Sequence, residues 1–287
     1  MRPENLRTQI FLDGGDPGET RALLKLLGFL DGQTTNPTLI SKNPEARKRL
    51  EQGRKFSAEE IYQFYRDVVG EISGLIPGGS VSIEVYADRS TKAEQMLGKG
   101  REMFSWIPNA HIKFPTTGEG LTAAGHAVKE GMRVNMTLCF TQEQAAAVYA
   151  ATSGAKKGDV FVSPFIGRLD DRGENGMDVI ANIMKMYRKG DGHVMALTAS
   201  VRSYAHLMCA LHFGSDIITS PYSILKEWGE KGLPLPAKDY NYDRGKLKPI
   251  PYKDIDLSKK WREYDISHDL TVKGMERFSA DWNALIK

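Results

Sequence analysis

The stretch Ala110-His111-Ile112-Lys113-Phe114-Pro115 is one of a series of short apolar segments that recur along the chain. Eight of these segments are predicted strands, and segments with helical patterns separate them. Their ranges are 9–13, 32–36, 81–87, 110–115, 133–140, 160–166, 193–201 and 216–220. Eight strands that alternate with helices predict an α/β fold, a (β/α)8 TIM barrel, because an open doubly wound sheet usually has fewer strands. No GxGxxG sequence follows the first strand, which further weakens a dinucleotide-binding fold.

Helix signals and prolines divide the chain into three parts. Ser57-Ala58-Glu59-Glu60 predicts a capping box, and Thr141 to Gln144 predicts a second one. The barrel is predicted to span residues 1–232, followed by a proline-punctuated arm over 233–262 and then by a C-terminal helix. Residues 263–287 contain that helix, roughly Thr271 to Leu285, whose apolar face is predicted to pack on its own barrel or on a neighbouring subunit. That face carries Val272, Met275, Phe278, Trp282 and Leu285.

The composition excludes several classes of function. The 287 residues are 41% hydrophobic and 26% charged with a net charge of +3, and no basic stripe predicts a nucleic-acid partner. No stretch approaches the roughly 18 apolar residues that span a bilayer, and no signal-peptide core is present, so we expect a cytoplasmic protein that does not act at a membrane. Cys139 and Cys209 are expected to be reduced and buried, and the six histidines lack metal-ligand spacing, so no metal is predicted.

Lys113 is the most informative residue of the quoted stretch. Because Ile112 and Phe114 flank it on a predicted strand, its amine must point into the interior or into a cleft. Burial disfavours the charged form of a lysine, and a neutral amine is a nucleophile toward carbonyls. The alternative is a structural lysine that is held by an ion pair at the strand end.

Polar residues lie at or near nearly every predicted strand end, where barrels place their catalytic groups. They are Asp13, Asn36, Glu84, Lys113, Asn135, Thr137, Ser163, Arg168, Ser200 and Arg202. Each has a structural alternative: Asp13 and Ser200 as helix caps, Asn36 as a turn former, and Glu84 as a counter-ion for Lys113. One shared cleft explains the whole set better than independent structural roles at every strand end.

One amine, two carboxylates and several neutral hydrogen-bonding groups suit imine chemistry on a ketone or aldehyde. Lys113 would condense with the carbonyl, and a carboxylate would remove a proton from a hydroxyl so that the neighbouring C–C bond breaks. Asp13 and Glu84 can divide these acid and base tasks. Ser200 and Arg202 follow the seventh strand, where barrels often bind phosphate, which suggests a phosphorylated sugar as substrate.

Seven strings of residues resemble transaldolase in its short, barrel-only form, over about residues 9 to 230 and again in the final helix. They are Phe11-Leu12-Asp13, Thr34-Thr35-Asn36-Pro37-Thr38, Ile83-Glu84-Val85, Ile112-Lys113-Phe114-Pro115-Thr116-Thr117, Asn135-Met136-Thr137-Leu138, Ser163-Pro164-Phe165-Ile166-Gly167-Arg168 and Ala199-Ser200-Val201-Arg202. The resemblance implies transfer of dihydroxyacetone from a ketose phosphate, such as sedoheptulose 7-phosphate or fructose 6-phosphate, to an aldose phosphate in the pentose phosphate pathway. It implies no cofactor and commonly a homo-oligomeric ring of five or ten subunits.

The resemblance also implies a role for each matching residue. Lys113 would form the Schiff base, and Asp13 would be the base for C–C cleavage. Glu84 and Thr137 would hold and activate water. The dihydroxyacetone unit would be bound by Asn36, Asn135 and Ser163, and the phosphate by Arg168, Ser200 and Arg202.

Two alternatives remain open. The fructose 6-phosphate aldolase branch of the same superfamily releases dihydroxyacetone, and it has Gln where this chain has Glu84 and Tyr where this chain has Phe165. Both residues here resemble the transferase pattern, and a phenylalanine has no hydroxyl to help protonate and release the enamine. The other alternative is a barrel that binds sugar phosphates without turning them over. The intact set of Asp13, Glu84 and Lys113 argues against that interpretation.

Overall fold

The computed structural model describes residues 2–287 as a closed barrel of eight parallel strands that alternate with helices. The strands are β1 (Gln9–Asp13), β2 (Gly32–Thr34), β3 (Ser80–Glu84), β4 (Ala110–Pro115), β5 (Val134–Cys139), β6 (Val160–Pro164), β7 (Val194–Thr198) and β8 (Ile217–Ser220). Each strand pairs with the next one in the sequence, and β8 pairs with β1 to close the barrel. The predicted (β/α)8 barrel is therefore confirmed.

Helices surround the barrel and also form its last element. In the described part of the chain they are α1 (Pro17–Leu27), α2 (Pro37–Ser41), α3 (Pro44–Glu51), α4 (Ala58–Leu75), α5 (Ala93–Phe104), α6 (Gly118–Lys129), α7 (Gln142–Ala151), α8 (Ile166–Asp170), α9 (Gly176–Tyr187), α10 (Tyr204–Phe213), α11 (Tyr222–Glu230) and α12 (Asp269–Asn283). The capping box at Ser57 is present and begins α4. The predicted second box is wrong: Thr141 caps α7, but the Gln144 side chain accepts from the Phe140 backbone N–H and not from Thr141.

Several strands are shorter than the sequence predicts. β3 ends at Glu84 instead of residue 87, β6 at Pro164 instead of 166, and β7 at Thr198 instead of 201. Most of the excess residues are apolar, and Val85 and Val201 among them are nearly fully buried. Burial beyond the regular ladder gives these segments the composition of strands.

The arm between α11 and α12 has little regular structure, apart from a short 3₁₀ turn over Trp261–Glu263. Backbone and side-chain hydrogen bonds attach it to the outer helices. Lys248 bridges to the loop before α9, since its N–H donates to the Gly173 carbonyl and its carbonyl accepts from Asn175, both at 2.8 Å. Further along, the Gln142 side chain holds the backbone of Lys253. The arm thus reaches across one side of the barrel and delivers the chain to α12.

The C-terminal helix α12 packs on the barrel of its own chain. Its apolar face is buried there, with Trp282 lying 5.3 Å and 5.9 Å, centroid to centroid, from the rings of Tyr62 and Tyr65. The Thr271 hydroxyl donates to the Leu138 carbonyl at 2.9 Å, which attaches the start of α12 to the end of β5. The pentameric or decameric ring stays a prediction, and burial of this face within the chain does not require it.

Cys139 and Cys209 are both free thiols and lie in the interior. Burial raises the pKa of each thiol to about 12, so neither is a reactive thiolate at neutral pH. In the part of the chain that the structure describes, no helix is both long enough and apolar enough to cross a membrane.

Candidate active site

The barrel interior is built in layers, and its lower layer is aromatic. The His111 ring stacks on Phe161 with centroids 4.1 Å apart, and Phe11 meets Phe161 edge to face at 6.0 Å. Side chains alternate between the two faces of a strand, so the residue two positions further also points inward. By that rule, Lys113 points inward as His111 does, and Asp13 points inward as Phe11 does. The polar groups are therefore set in the layer above the aromatic one, at the carboxyl ends of the strands.

Lys113 lies at the centre of this upper layer and is only 3% exposed. Its Nζ lies 3.0 Å from Glu84 Oε2 and donates to the Thr35 carbonyl at 3.1 Å. The two charged residues are aligned in the β3–β4 register, which makes their side chains neighbours on the inner face. Burial raises the pKa of Glu84, although the Lys113 charge opposes that shift. The buried carboxyl is therefore more ready to hold a proton than an exposed glutamate.

Asp13 lines the same cleft as Lys113 from the end of β1. The Thr34 hydroxyl lies 2.8 Å from Asp13 Oδ1 and 2.6 Å from the Thr219 hydroxyl. Desolvation raises the pKa of Asp13, and the charges of Lys113 and Lys42 oppose the rise. The cap of α1 is Asp16 and not Asp13, so the carboxylate of Asp13 is not used at a helix start.

The neutral polar residues form a second group around the amine. Ser163 donates to Asn135 Oδ1 at 2.6 Å, and Asn135 Nδ2 donates to Ser82 at 3.0 Å. Asn36 has a structural role different from the predicted turn, since its side chain caps α2, and it also lines the cleft. Thr137 is buried, and its hydroxyl has no hydrogen-bond partner within residues 2–287. A buried hydroxyl usually has a partner, so Thr137 stands out in this group.

A cleft of about 660 Å³ opens above these groups at the barrel mouth. Eight of the sequence-predicted site residues line it, while the other three, Glu84, Asn135 and Thr137, lie buried beneath it. The eight are Asp13, Asn36, Lys113, Ser163, Phe165, Arg168, Ser200 and Arg202. The structure thus brings all eleven residues to one end of the barrel.

Arg168 and Arg202 make one wall of the cleft cationic. The Arg168 guanidinium lies 5.3 Å from the ring centroid of Phe165 and 5.5 Å from that of Phe278, and within residues 2–287 it makes no hydrogen bond or ion pair. Burial and repulsion by Arg202 lower its pKa from the usual value. Arg202 Nε donates to the Ser200 hydroxyl at 3.3 Å and its Nη2 lies 3.2 Å from Asp171. A half-buried, unpaired guanidinium is a receptor for an anion.

Sequence reasoning missed a second set of residues in the cleft. Thr34 ends β2, where only the nearby Asn36 was predicted as a site residue, and Thr219 lies in β8, where none was predicted. Their inward position follows from strand alternation. Lys273 and Arg277, with Phe278, come from α12. Their spacing of four residues marks one helix face, but no sequence pattern shows that this face lies over the mouth.

Gly274 allows α12 to approach this wall. A Cβ at position 274 would lie 2.5 Å from Leu138 Cδ2 and 2.6 Å from Arg168 Nη1, closer than atoms can pack. Leu138 itself has a φ of +59°, an uncommon backbone conformation for leucine, at an irregularity in β5. The helix, the strained strand end and the guanidinium are therefore packed into one tight contact.

Replacing Gly274 with alanine is expected to lower the free energy of unfolding by up to about 2 kcal/mol, because overpacking of this contact outweighs the gain in helix propensity. Urea denaturation would measure the change. The matched control is Gly70→Ala in the middle of α4, where nothing lies within 4 Å of the added atom. That variant is expected to gain roughly 0.5–1 kcal/mol from helix propensity. Equal stability of the two variants would contradict the close approach of α12.

Fold and site together define an α/β-barrel protein whose cleft combines an amine, a carboxylate and, among the described residues, the unpaired guanidinium of Arg168. Comparison with known proteins identifies the family within this class of barrel proteins. The model of the transaldolase/fructose-6-phosphate aldolase family matches residues 10–287, and the chain belongs to that family.

Relatives described as probable transaldolases cover nearly the whole chain. The one from Dehalococcoides mccartyi is 34% identical over 279 residues, which are 97% of this chain and 100% of the relative. One from a Roseiflexus species is 34% identical, covering 96% and 97%, and one from a Caulobacter species is 35% identical, covering 96% of each. The family and these relatives place the chain among enzymes of the transaldolase type.

Proposed function

We propose that the protein is a transaldolase that transfers a dihydroxyacetone unit between sugar phosphates through a Schiff base on Lys113. The observation that carries the proposal is the position of Lys113, which lines the cleft while its amine pairs with a fully buried carboxyl group. A structural ion pair does not require its lysine to line an open cleft that is large enough for a substrate. We place the reaction in the cytoplasm, in the pentose phosphate pathway.

The first step joins the Lys113 amine to the carbonyl carbon of a ketose phosphate. The amine attacks as a free base, and Glu84 is the nearest group that can hold the proton, 3.0 Å away. The raised pKa of Glu84 supports that role, because it favours the protonated carboxyl. The same proton can then leave with the carbinolamine hydroxyl as water, which yields the iminium ion. The unpartnered hydroxyl of Thr137 is suited to hold this water.

The second step breaks the C3–C4 bond. Asp13 accepts the proton of the C4 hydroxyl, the C4–O bond becomes a carbonyl, and the electrons of the C3–C4 bond flow to the iminium nitrogen. An aldose phosphate leaves, and the three-carbon enamine stays on Lys113. An acceptor aldehyde then reacts by the reverse sequence, and water releases the product. Hydrogen bonds from Asn36, Asn135 and Ser163 would hold the hydroxyls of the three-carbon unit.

The cationic wall supports a phosphorylated substrate. Arg168 makes no ion pair inside residues 2–287, and Arg202 lies beside it with the Ser200 hydroxyl. Two guanidinium groups and a hydroxyl form a suitable receptor for the terminal phosphate of either sugar. Lys273 and Arg277 of α12, the helix that packs against Arg168, add further positive charge to the lining of the cleft.

Product analysis tests the proposal against the lyase alternative. With fructose 6-phosphate and erythrose 4-phosphate, the enzyme is expected to form a seven-carbon ketose phosphate at the rate at which fructose 6-phosphate disappears. Phe165 supports this expectation, since its ring lines the cleft and offers no proton to the enamine. Free dihydroxyacetone accumulating at that rate would instead establish a fructose 6-phosphate aldolase. Absence of both products would overturn the proposed function.

A further inference from the structure

A buried histidine lies directly behind the cationic wall. His206, near the start of α10, is 5% exposed, and its Nε2 lies 2.8 Å from Asp170 Oδ2. Its other ring nitrogen, Nδ1, accepts the backbone N–H of Arg202 at 3.2 Å. The Arg202 N–H can only donate, so Nδ1 is the acceptor and Nε2 carries the hydrogen, which it donates to the Asp170 carboxylate oxygen. The carboxylate thus fixes the tautomer that Arg202 needs.

This pair joins the two segments that supply the guanidinium groups. Asp170 ends α8, the short helix that carries Arg168, and its Oδ1 accepts the Gly176 N–H at 2.9 Å. The other segment, residues 199–203, carries Ser200 and Arg202 between β7 and α10. These segments already touch, because a Cβ on Gly167 would collide with Arg202 Cγ and with the Ser200 carbonyl.

The loop after β7 needs such support, because its backbone is strained. Ser200 has a φ of +59°, a left-handed conformation that is uncommon for residues other than glycine. The hydrogen bond from Gly167 N–H to the Ser200 carbonyl, at 3.1 Å, holds one side of the loop. The hydrogen bond from Arg202 N–H to His206 holds the other.

We propose that His206, oriented by Asp170, is a positioning residue for the phosphate site. By accepting the Arg202 backbone N–H, it fixes the direction in which the Arg202 side chain leaves the loop. Asp170 acts by setting the tautomer in which Nδ1 can accept that N–H. The inference rests on the proposed use of these arginines for phosphate.

The start of α10 does not depend on the imidazole ring. Ser203 caps this helix by accepting the His206 backbone N–H at 3.2 Å. Replacing the ring therefore leaves the helix cap in place. What the ring alone supplies is an acceptor for Arg202 and a donor for Asp170.

Two amide substitutions separate these functions. His206→Asn keeps an acceptor near the Nδ1 position but is too short to reach Asp170. His206→Gln keeps a donor near the Nε2 position but leaves the Arg202 N–H without its acceptor. We expect His206→Gln to weaken binding of inorganic phosphate, measured by calorimetry, by about tenfold, because a buried donor loses its partner. The His206→Asn variant should stay within about twofold of wild type.

Asp170→Asn is the second variant. Since the Gly176 N–H takes the oxygen, the new amide NH2 would face His206 Nε2 and favour the opposite tautomer. Nδ1 would then carry a hydrogen toward the Arg202 N–H, so we expect the same tenfold loss of phosphate affinity. If His206→Gln does not fold, the phosphate affinity of Asp170→Asn still tests the positioning role of His206.

In the transfer assay, His206→Gln should raise the KM for fructose 6-phosphate about tenfold and leave kcat within about twofold, because the ring does not touch the reacting atoms. Equal losses in the Asn and Gln variants, or unchanged phosphate affinity in folded His206→Gln and Asp170→Asn, would overturn the positioning role. Failure of the proposed function is separate. In that case wild type would make neither sugar product, while phosphate binding would still depend on His206.

Discussion

Replacing Lys113 with methionine is expected to abolish imine formation and to lower the rate of dihydroxyacetone transfer on the order of 10⁴-fold or more, the scale on which loss of a nucleophile acts. Methionine keeps the length of the side chain and removes the amine. Borohydride reduction with fructose 6-phosphate, followed by peptide mass mapping, measures the first effect. Wild type should carry a reduced three-carbon adduct on Lys113, and the variant should carry none.

The same substitution also tests the structural alternative for Lys113. It leaves the Glu84 carboxylate buried without its counter-charge, and breaking such a pair costs about 3–5 kcal/mol. Because burial already raises the pKa of Glu84, protonation can relieve part of this cost, so the destabilisation should grow as the pH rises. Unfolding of the variant in urea at several pH values would measure it.

The matched control is the double variant Lys113→Met/Glu84→Gln, which removes both charges. It should recover most of the lost stability while staying inactive. If wild type carries no adduct, or if the folded double variant keeps transfer activity, then Lys113 is a structural cation and the Schiff-base mechanism is wrong.

The barrel could be predicted from the sequence because all eight strands are short apolar runs between helical patterns. The predicted carboxyl ends of several strands were wrong. Val85 and Val201 are nearly fully buried although they lie beyond the last residues of β3 and β7. The hydrophobic pattern predicts which residues are buried, but it does not predict whether their backbone pairs with a neighbouring strand.

The inner part of the candidate site could also be predicted, because strand alternation places residues such as Asp13 and Lys113 at the same level. Lys273 and Arg277 could not be predicted, because they reach the cleft through the path of the arm and the docking of α12. That docking depends on the approach of Gly274 to Leu138 and Arg168, a contact between residues more than 100 positions apart. The His206–Asp170 pair also joins separate elements, α10 and α8, and neither residue belongs to a motif.

Replacing Asp13 with asparagine is expected to slow C–C cleavage by roughly 10²–10⁴-fold, the usual contribution of a general base, while imine formation continues. The trapped species should change accordingly. Borohydride reduction with fructose 6-phosphate should leave an intact six-carbon sugar phosphate on Lys113, where wild type leaves three carbons. The control is Asp16→Asn, since asparagine caps helices as well as aspartate and Asp16 caps α1 outside the cleft. Equal loss of imine formation and cleavage would remove Asp13 from its assigned role.

The Asp13→Asn variant should also be more stable than wild type at neutral pH. Burial raises the folded-state pKa of Asp13 above its ordinary value of 3.8, so the folded protein prefers the protonated carboxyl. The stability that this preference contributes is complete below pH 3.8 and is lost as the pH rises through the folded-state pKa. Asparagine does not ionise, so the difference in Tm between variant and wild type should widen as the pH is raised from below 4 to 7. Wild-type cleavage should increase over the same rise through the folded-state pKa, because only the ionised carboxylate can act as the base. A Tm difference that is constant with pH would show that Asp13 is as well solvated in the folded protein as in the unfolded chain, and would argue against a buried base.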